Sequence, residues 1–423
     1  MHKFLLAFTI FISASLSAQK TYVINCGKLL DSKTGVVKEN QHILIKGNQV
    51  ISISSSPIQA DSVINLSDYF VMPGLIDCHT HVLLQADITS EDYDVQILKE
   101  SIPYRTIRAT RSAEQSLLNG FTTIRDLGTE GAGFADVDIK KAINKGVIGG
   151  PRMFVSTLAI NTTGHYPIKT SDYAWELHLP KGLQEITGAD EARRAVRQQI
   201  EQGADWIKIY ADRGYYKLAD GSFRSLPNFT NEEINAIGDE TIRSRKKLAA
   251  HAMTRDGILG SIHAGATSIE HGSGMDEECM KLMVEKGVYW CPTLFVNEYV
   301  AEGRAKMGSP INLYFKQSIQ STFKKAIAMG VKLAYGTDIG GYDWSLPQAK
   351  DFTYFVEWGL TPIQAIQTAT TTAAELLGMQ GKIGEIKEGA FADIIAIKKD
   401  PTKDISVLQN IDWVMKDGKI YKH

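Results

Sequence analysis

The sequence lacks several features that would place it quickly. Charge of one sign is missing: 46 Lys and Arg stand against 48 Asp and Glu, no long basic run occurs, and nucleic acid is not expected as a partner. Cysteine is scarce. The four residues Cys26, Cys78, Cys279 and Cys291 include no CxxC pair, which argues against a disulfide framework and against a cysteine nucleophile. Cys78 and Cys291 fall inside predicted strands, where a free thiol behaves as a small buried hydrophobe. The apolar run at residues 4–12 is far shorter than the roughly 20 residues a membrane-spanning helix needs. No glycine-rich dinucleotide fingerprint follows the first strand of the alternating region, which argues against a doubly wound sheet.

What is there begins with length. A chain of 423 residues, 43% hydrophobic and 22% charged, can bury a large core and is long enough for one α/β barrel plus a smaller domain. Residues 1–18 have the order of an export signal: Lys3, an apolar stretch at 4–12, then small residues to Ala18. Cleavage is expected after Ala18, giving an exported protein, periplasmic or secreted, without a membrane anchor. Residues 19–72 and 381–423 are both short and β-like, punctuated by Gly35, Gly47-Asn48 and Asp417-Gly418. Neither piece is large enough alone, so the two ends are expected to meet as one small β-sandwich.

Between them, residues 73–380 alternate strand and helix. Eight predicted strands, at 75–82, 122–127, 153–157, 206–211, 248–252, 267–272, 288–294 and 332–338, are separated by helical segments such as 190–202, 231–247, 256–263 and 276–286. That count fits a (β/α)8 TIM-type barrel, whose chemistry sits at the C-terminal strand ends. The Gly128–Gly133 stretch reads as a flexible loop after the second strand.

Chemistry-bearing residues fall on those ends. His79 and His81, two apart on a strand, point the same way and can converge on one metal ion. Taken alone, such a pair also arises by chance on surface strands. His251, His271 and Asp338 end the fifth, sixth and eighth strands, and Lys208 lies inside the fourth. Each has a bland reading as a core, turn or cap residue; six such residues on five strands of one barrel point jointly to a metal site. A buried ammonium at Lys208 is driven toward its neutral amine, which can take up carbon dioxide as a carbamate able to bridge two cations. The alternative is a lysine paired with a carboxylate such as Asp212.

The segments PGLIDCHTH (73–81), GFTTIRDLG (120–128), GADWIKIYAD (203–212), AAHA (249–252), GATSIEHG (265–272), CPTL (291–294) and GTD (336–338) resemble the amidohydrolase superfamily. Within it they are most similar to the imidazolonepropionase-like branch with its binuclear Xaa-Pro dipeptidases. The resemblance implies that His79, His81 and Asp338 hold one divalent metal and His251 and His271 a second. Carboxylated Lys208 and a hydroxide would bridge them. Zinc is the first expectation, although manganese, cobalt and iron suit the same donors.

The implied activity is hydrolysis of a C–N amide bond in a dipeptide or N-acyl amino acid, with Asp338 as general base and acid. Just past the third strand, His165 is the candidate for polarising the substrate carbonyl. Tyr210 and Arg213, at the mouth of the fourth strand, are candidates for binding substrate, Arg213 through a carboxylate; a solvated loop arginine is the plain alternative. Tyr342 and Trp344 either wall a side-chain pocket or pack their loop down. His178 and His263 read as structural or exposed. Competing functions are hydrolysis of a cyclic amide, lactone or organophosphate ester by the same metal pair, and a non-catalytic binding protein that kept the barrel. A homo-oligomer is left open.

Overall fold

The computed structural model describes residues 20–88, 90–165 and 170–423; the expected export signal at 1–18 lies outside them. The two β-like ends do meet. Thr21–Leu30 runs parallel to Ser62–Pro73 and antiparallel to Val37–Lys46, and the C-terminal strand Ile394–Ile397 pairs antiparallel with Ser62–Pro73 on its other side. The result is one continuous seven-stranded sheet, with Trp413–Lys416 and Lys419–Lys422 at one end and Gln49–Ser54 at the other. A bridge between Gln49 and Phe391 brings the sheet back on itself around a core of Ile24, Ile43, Val71, Ile394 and Met415. Alternation puts those residues on one face.

The barrel starts without a linker. Strand Ser62–Pro73 passes through Gly74 into Leu75–Thr80, and a Cβ at Gly74 would sit 2.2 Å from Thr122 Oγ1, so only glycine fits the crossing. Seven further strands follow in parallel: Phe121–Asp126, Arg152–Val155, Trp206–Tyr210, Lys247–Thr254, Ser268–Gly274, Tyr289–Cys291 and Lys332–Leu333. The last does not stop at Leu333 in effect. Residues 334–339 continue alongside the first strand, with Cys78 N–H donating to Tyr335 O, Asp338 N–H to His79 O and a bridge between Thr80 and Ile339. Buried Asp77 secures that closure: it accepts from Thr337 N–H and His79 N–H and from the Thr337 hydroxyl at 2.6 Å.

Expected boundaries moved by a residue or two at several elements, and further for one helix and one strand. The helix expected at 231–247 ends at Arg243, where Arg245 turns left-handed (φ 55°) and Lys247 opens the fifth strand. The seventh strand stops at Cys291, because Thr293 is left-handed (φ 46°) and Leu294–Lys306 is already helical. All four cysteines are buried and free. No helix among the described residues is long and apolar enough to cross a membrane.

Arg152, on the third barrel strand, ties the two units together by ion pairs to Asp393 and Asp417, each at 2.5 Å, with its guanidinium 4.4 Å over the Phe391 ring. Burial raises the Asp393 carboxyl and Arg152 opposes that shift. Arg152→Ala leaves Asp393 buried without its cation and is expected to cost about 3 kcal/mol. A denaturant-midpoint shift below a third of that size would show that the sandwich docks without this contact.

Candidate metal centre

The six residues singled out on the strands and their ends converge on one cavity of about 300 Å³. His79 Nε2 lies 3.5 Å and His81 Nε2 3.2 Å from Asp338 Oδ1, and the three side chains put ligand atoms within 4.8 Å of one another. Next to them the imidazoles of His271 and His251 follow in a chain: ring centroids are 4.9 Å apart between His79 and His271 and 4.5 Å between His271 and His251. Lys208 lines the same cavity.

Each imidazole is aimed by what its other nitrogen does. The His79 Nδ1 atom is 2.9 Å from Glu270 Oε2, so Nε2 turns inward, where it is buried with no hydrogen-bond partner. In the same way His81 Nδ1 meets Gly128 O at 3.0 Å and His271 Nδ1 meets the Thr293 hydroxyl at 2.8 Å. His251 Nε2 lies 2.9 Å from the Tyr215 hydroxyl, on a hairpin that follows the fourth strand. An inward, partnerless nitrogen at His79 beside a second imidazole and a carboxylate is a donor set that fits a divalent ion. His271 and Asp338 reach the site through left-handed backbone, φ 70° and 60°, a strain of about 1–3 kcal/mol each that the surrounding structure must hold.

Beneath the cluster, Glu270 is fully buried between His79 and Arg125, whose guanidinium is 2.9 Å from Oε1 and 4.4 Å over the Trp206 ring. Arg125 and His79 hold Glu270 well below the usual carboxylate range despite its burial. Burial also drives His79 down to about 4 and His251 and His271 well below their ordinary value. For His81 burial acts the same way but is outweighed by Asp338, which lifts it to about 9. The imidazoles in return keep the buried Asp338 ionised. Burial pushes Lys208 down to about 8, against the pull of Glu270 and Asp338. No carboxylate among the described residues forms an ion pair with it. The Asp212 pairing is ruled out by that carboxylate's own bonds, to the N–H groups of Met253 and Thr254 and the Ser225 hydroxyl.

Other expectations divide. Tyr210 and Arg213 both line the cavity, the guanidinium 4.7 Å over the tyrosine ring. The structure does not bring His165 to the cluster: strand Ile160–Thr162 ends before it, the chain turns at Gly164 (φ 84°), and the residue is exposed and outside the cavity lining. Tyr342 and Trp344 are buried and absent from the lining, so they pack their loop down, Trp344 through Nε1–H to Leu84 O. His178 and His263 are exposed. The stretch after the second strand, read as a flexible loop, instead presents Glu130 to the cavity. Glu270, Arg125 and Glu130 were missed as functional residues, although a charged residue inside an apolar strand, as in FTTIRD and SIEHG, was a signal for the first two.

Comparison with known proteins shows the family. The model of the amidohydrolase family matches residues 70–421. The ochratoxinase of Aspergillus niger is 34% identical over 382 residues, covering 83% of this chain and 75% of that protein. Among solved structures, a Xaa-Pro dipeptidase with methionine bound in its active site superposes with a TM-score of 0.84 at 35% identity, covering 95% of this chain and 100% of that one. A prolidase complexed with N-methylphosphonate-L-proline gives 0.83 at 29% identity, with the same coverage.

Replacing Glu270 by Gln removes the charge behind His79 while keeping an acceptor. Divalent-cation affinity should fall about 10–100-fold, read by competition with a chromophoric chelator; unchanged affinity would mean Glu270 serves the fold alone.

Proposed function

This chain belongs to the amidohydrolase family, in its prolidase-like branch, and is a hydrolase of amide C–N bonds; we propose that its substrate is a dipeptide or N-acyl amino acid. The observation that carries the reading is the convergence of His79, His81, His251, His271, Asp338 and Lys208 on one cavity, with Arg213 at its wall. His79, His81 and Asp338 would hold one divalent ion and His251 and His271 the other, with Lys208 as a carbamate between them. Zinc is the metal we expect. When bound, such a pair supplies hydroxide at neutral pH and polarises a carbonyl.

The chain's own residues do the rest. Asp338, kept ionised by its imidazole neighbours, takes the proton of the attacking water as the carbon–oxygen bond forms. It returns that proton to the amide nitrogen as the carbon–nitrogen bond breaks, releasing a carboxylic acid and an amine. Arg213, held over Tyr210, would take a substrate carboxylate in a bidentate grip. Burial makes Lys208 a better amine than a solvated lysine, which supports the carbamate. Residues 1–18 support export, and we propose a periplasmic or secreted enzyme on that ground alone.

Asp338→Asn should lower kcat by about 10²–10⁴-fold on a dipeptide panel while elemental analysis still finds metal on the chain; turnover near wild type would remove Asp338 as base. A second test concerns Lys208. Because its amine becomes the major form as pH rises through about 8, metal uptake by stripped protein at fixed dissolved carbon dioxide should climb through that pH toward two ions per chain. Lys208→Arg should abolish the carbon dioxide dependence; one ion per chain regardless of carbon dioxide would point to the cyclic-amide alternative.

A further inference from the structure

Among the described residues three carboxylates line the cavity: Asp338, Asp87 and Glu130. Their charges are disposed of differently. Asp338 sits among the imidazoles of the cluster, and Asp87 faces Arg304 Nη2 at 3.3 Å. Among the described residues no lysine or arginine forms an ion pair with Glu130. The nearest basic atom given for it is His81 Nδ1 at 3.6 Å, whose hydrogen-bond partner is Gly128 O. Arg105 spends its Nη2 group on the carbonyls of Leu83 and Thr129. Glu130 is nevertheless only 4% exposed. A buried carboxylate on a cavity wall whose basic neighbour His81 is shared with Asp338 and with Gly128 O is still costly, and a cation that enters the cavity would offset that cost.

The way Glu130 is held supports a built feature. Its backbone is left-handed (φ 47°), and the flanking Gly128 (φ 151°) leaves the room it needs: a Cβ there would lie 3.0 Å from Glu130 Oε1 and 3.3 Å from the His81 ring. Two hydroxyls fix the carboxylate, Tyr93 donating to Oε2 at 2.5 Å and Tyr210 to Oε1 at 2.9 Å. Both tyrosines also line the cavity. Each carboxylate oxygen keeps a further lone pair, and an anion framed by aromatic rings is a good receptor for an ammonium group. Its place beside His81 matters too. In a dipeptide the α-ammonium is only two bonds from the scissile carbonyl carbon, so a carbonyl worked on at the cluster brings the ammonium to this wall.

We infer that Glu130 is the receptor for the α-ammonium of the substrate, which makes the enzyme a dipeptidase for free amino termini and discriminates against N-acylated amino acids. This rests on the amide-hydrolase reading above and narrows it. Arg213 would then take the substrate's carboxylate and Glu130 its amine, with Tyr210 touching both side chains.

The test uses the metal-replete full chain. The dipeptide cleaved fastest in a broad panel is compared with the same dipeptide N-acetylated, in wild type and in Glu130→Gln, with metal content measured on both proteins. Wild type should prefer the free amine roughly 10–100-fold in kcat/KM, as a lost charge-assisted bond implies. Glu130→Gln should collapse that ratio toward one, chiefly through loss on the free dipeptide. Wild type cleaving both forms equally well would overturn the inference without touching the amide-hydrolase reading, and that comparison needs no variant to fold. Equal losses on both substrates in the variant would reduce Glu130 to a support for His81. No turnover of either substrate would sink the parent reading, and the inference with it.

Discussion

Glu270 takes Arg125 on one oxygen and His79 on the other at the centre of the barrel, and the chemistry above depends on that one arrangement. Placing a carboxylate there without a cation would be prohibitive, and Arg125 supplies one from the second strand. With its charge settled, Glu270 can order the His79 ring, so that the opposite nitrogen faces inward without a protein partner. The same charges reach Lys208, where burial and the Glu270 and Asp338 carboxylates oppose each other. A change at Glu270 therefore acts on the ring orientation, the neighbouring lysine and the barrel core together.

Around this centre, buried aspartates take up backbone N–H groups that the strand ends would leave unsatisfied. Asp126 accepts from Val82 N–H just past His81, Asp212 from Met253 and Thr254 past His251, and Asp351 from Leu294 and Phe295 at the start of the helix that walls the cavity. Burial raises Asp126 to about 7, Asp212 to about 6 and Asp351 to about 8, against the opposing pull of those N–H bonds. In exchange the loops carrying functional side chains are pinned at the residue after each turn. This is how a site built on left-handed residues such as His271 and Asp338 keeps its geometry.

The sandwich contributes from outside. Because Ser62–Pro73 runs straight into the first barrel strand, the strand that bears His79 is anchored by a sheet on one side and by its barrel neighbours on the other. Arg152 repeats the attachment two strands away.

The amino-acid order alone determined the alternating barrel, the meeting of the two ends and the six residues at the strand ends. Those follow from local rules: a period of two for strands, turn residues between them, and imidazoles and carboxylates placed where apolar runs stop. Boundaries went astray at Arg245 and Thr293, where single left-handed residues cut a helix and a strand short without a glycine to announce it. Partners across the barrel were not legible, since Glu270 with His79 and Arg125 with Cys78 O join residues far apart in sequence. Nor was the fate of a charge: Asp212 and Glu130 are both acidic residues just past strands, yet one is consumed by backbone N–H groups and the other is left facing the cavity. Only tertiary structure decides that, because the energy of a buried charge depends on which dipoles and cations the fold brings within hydrogen-bond reach.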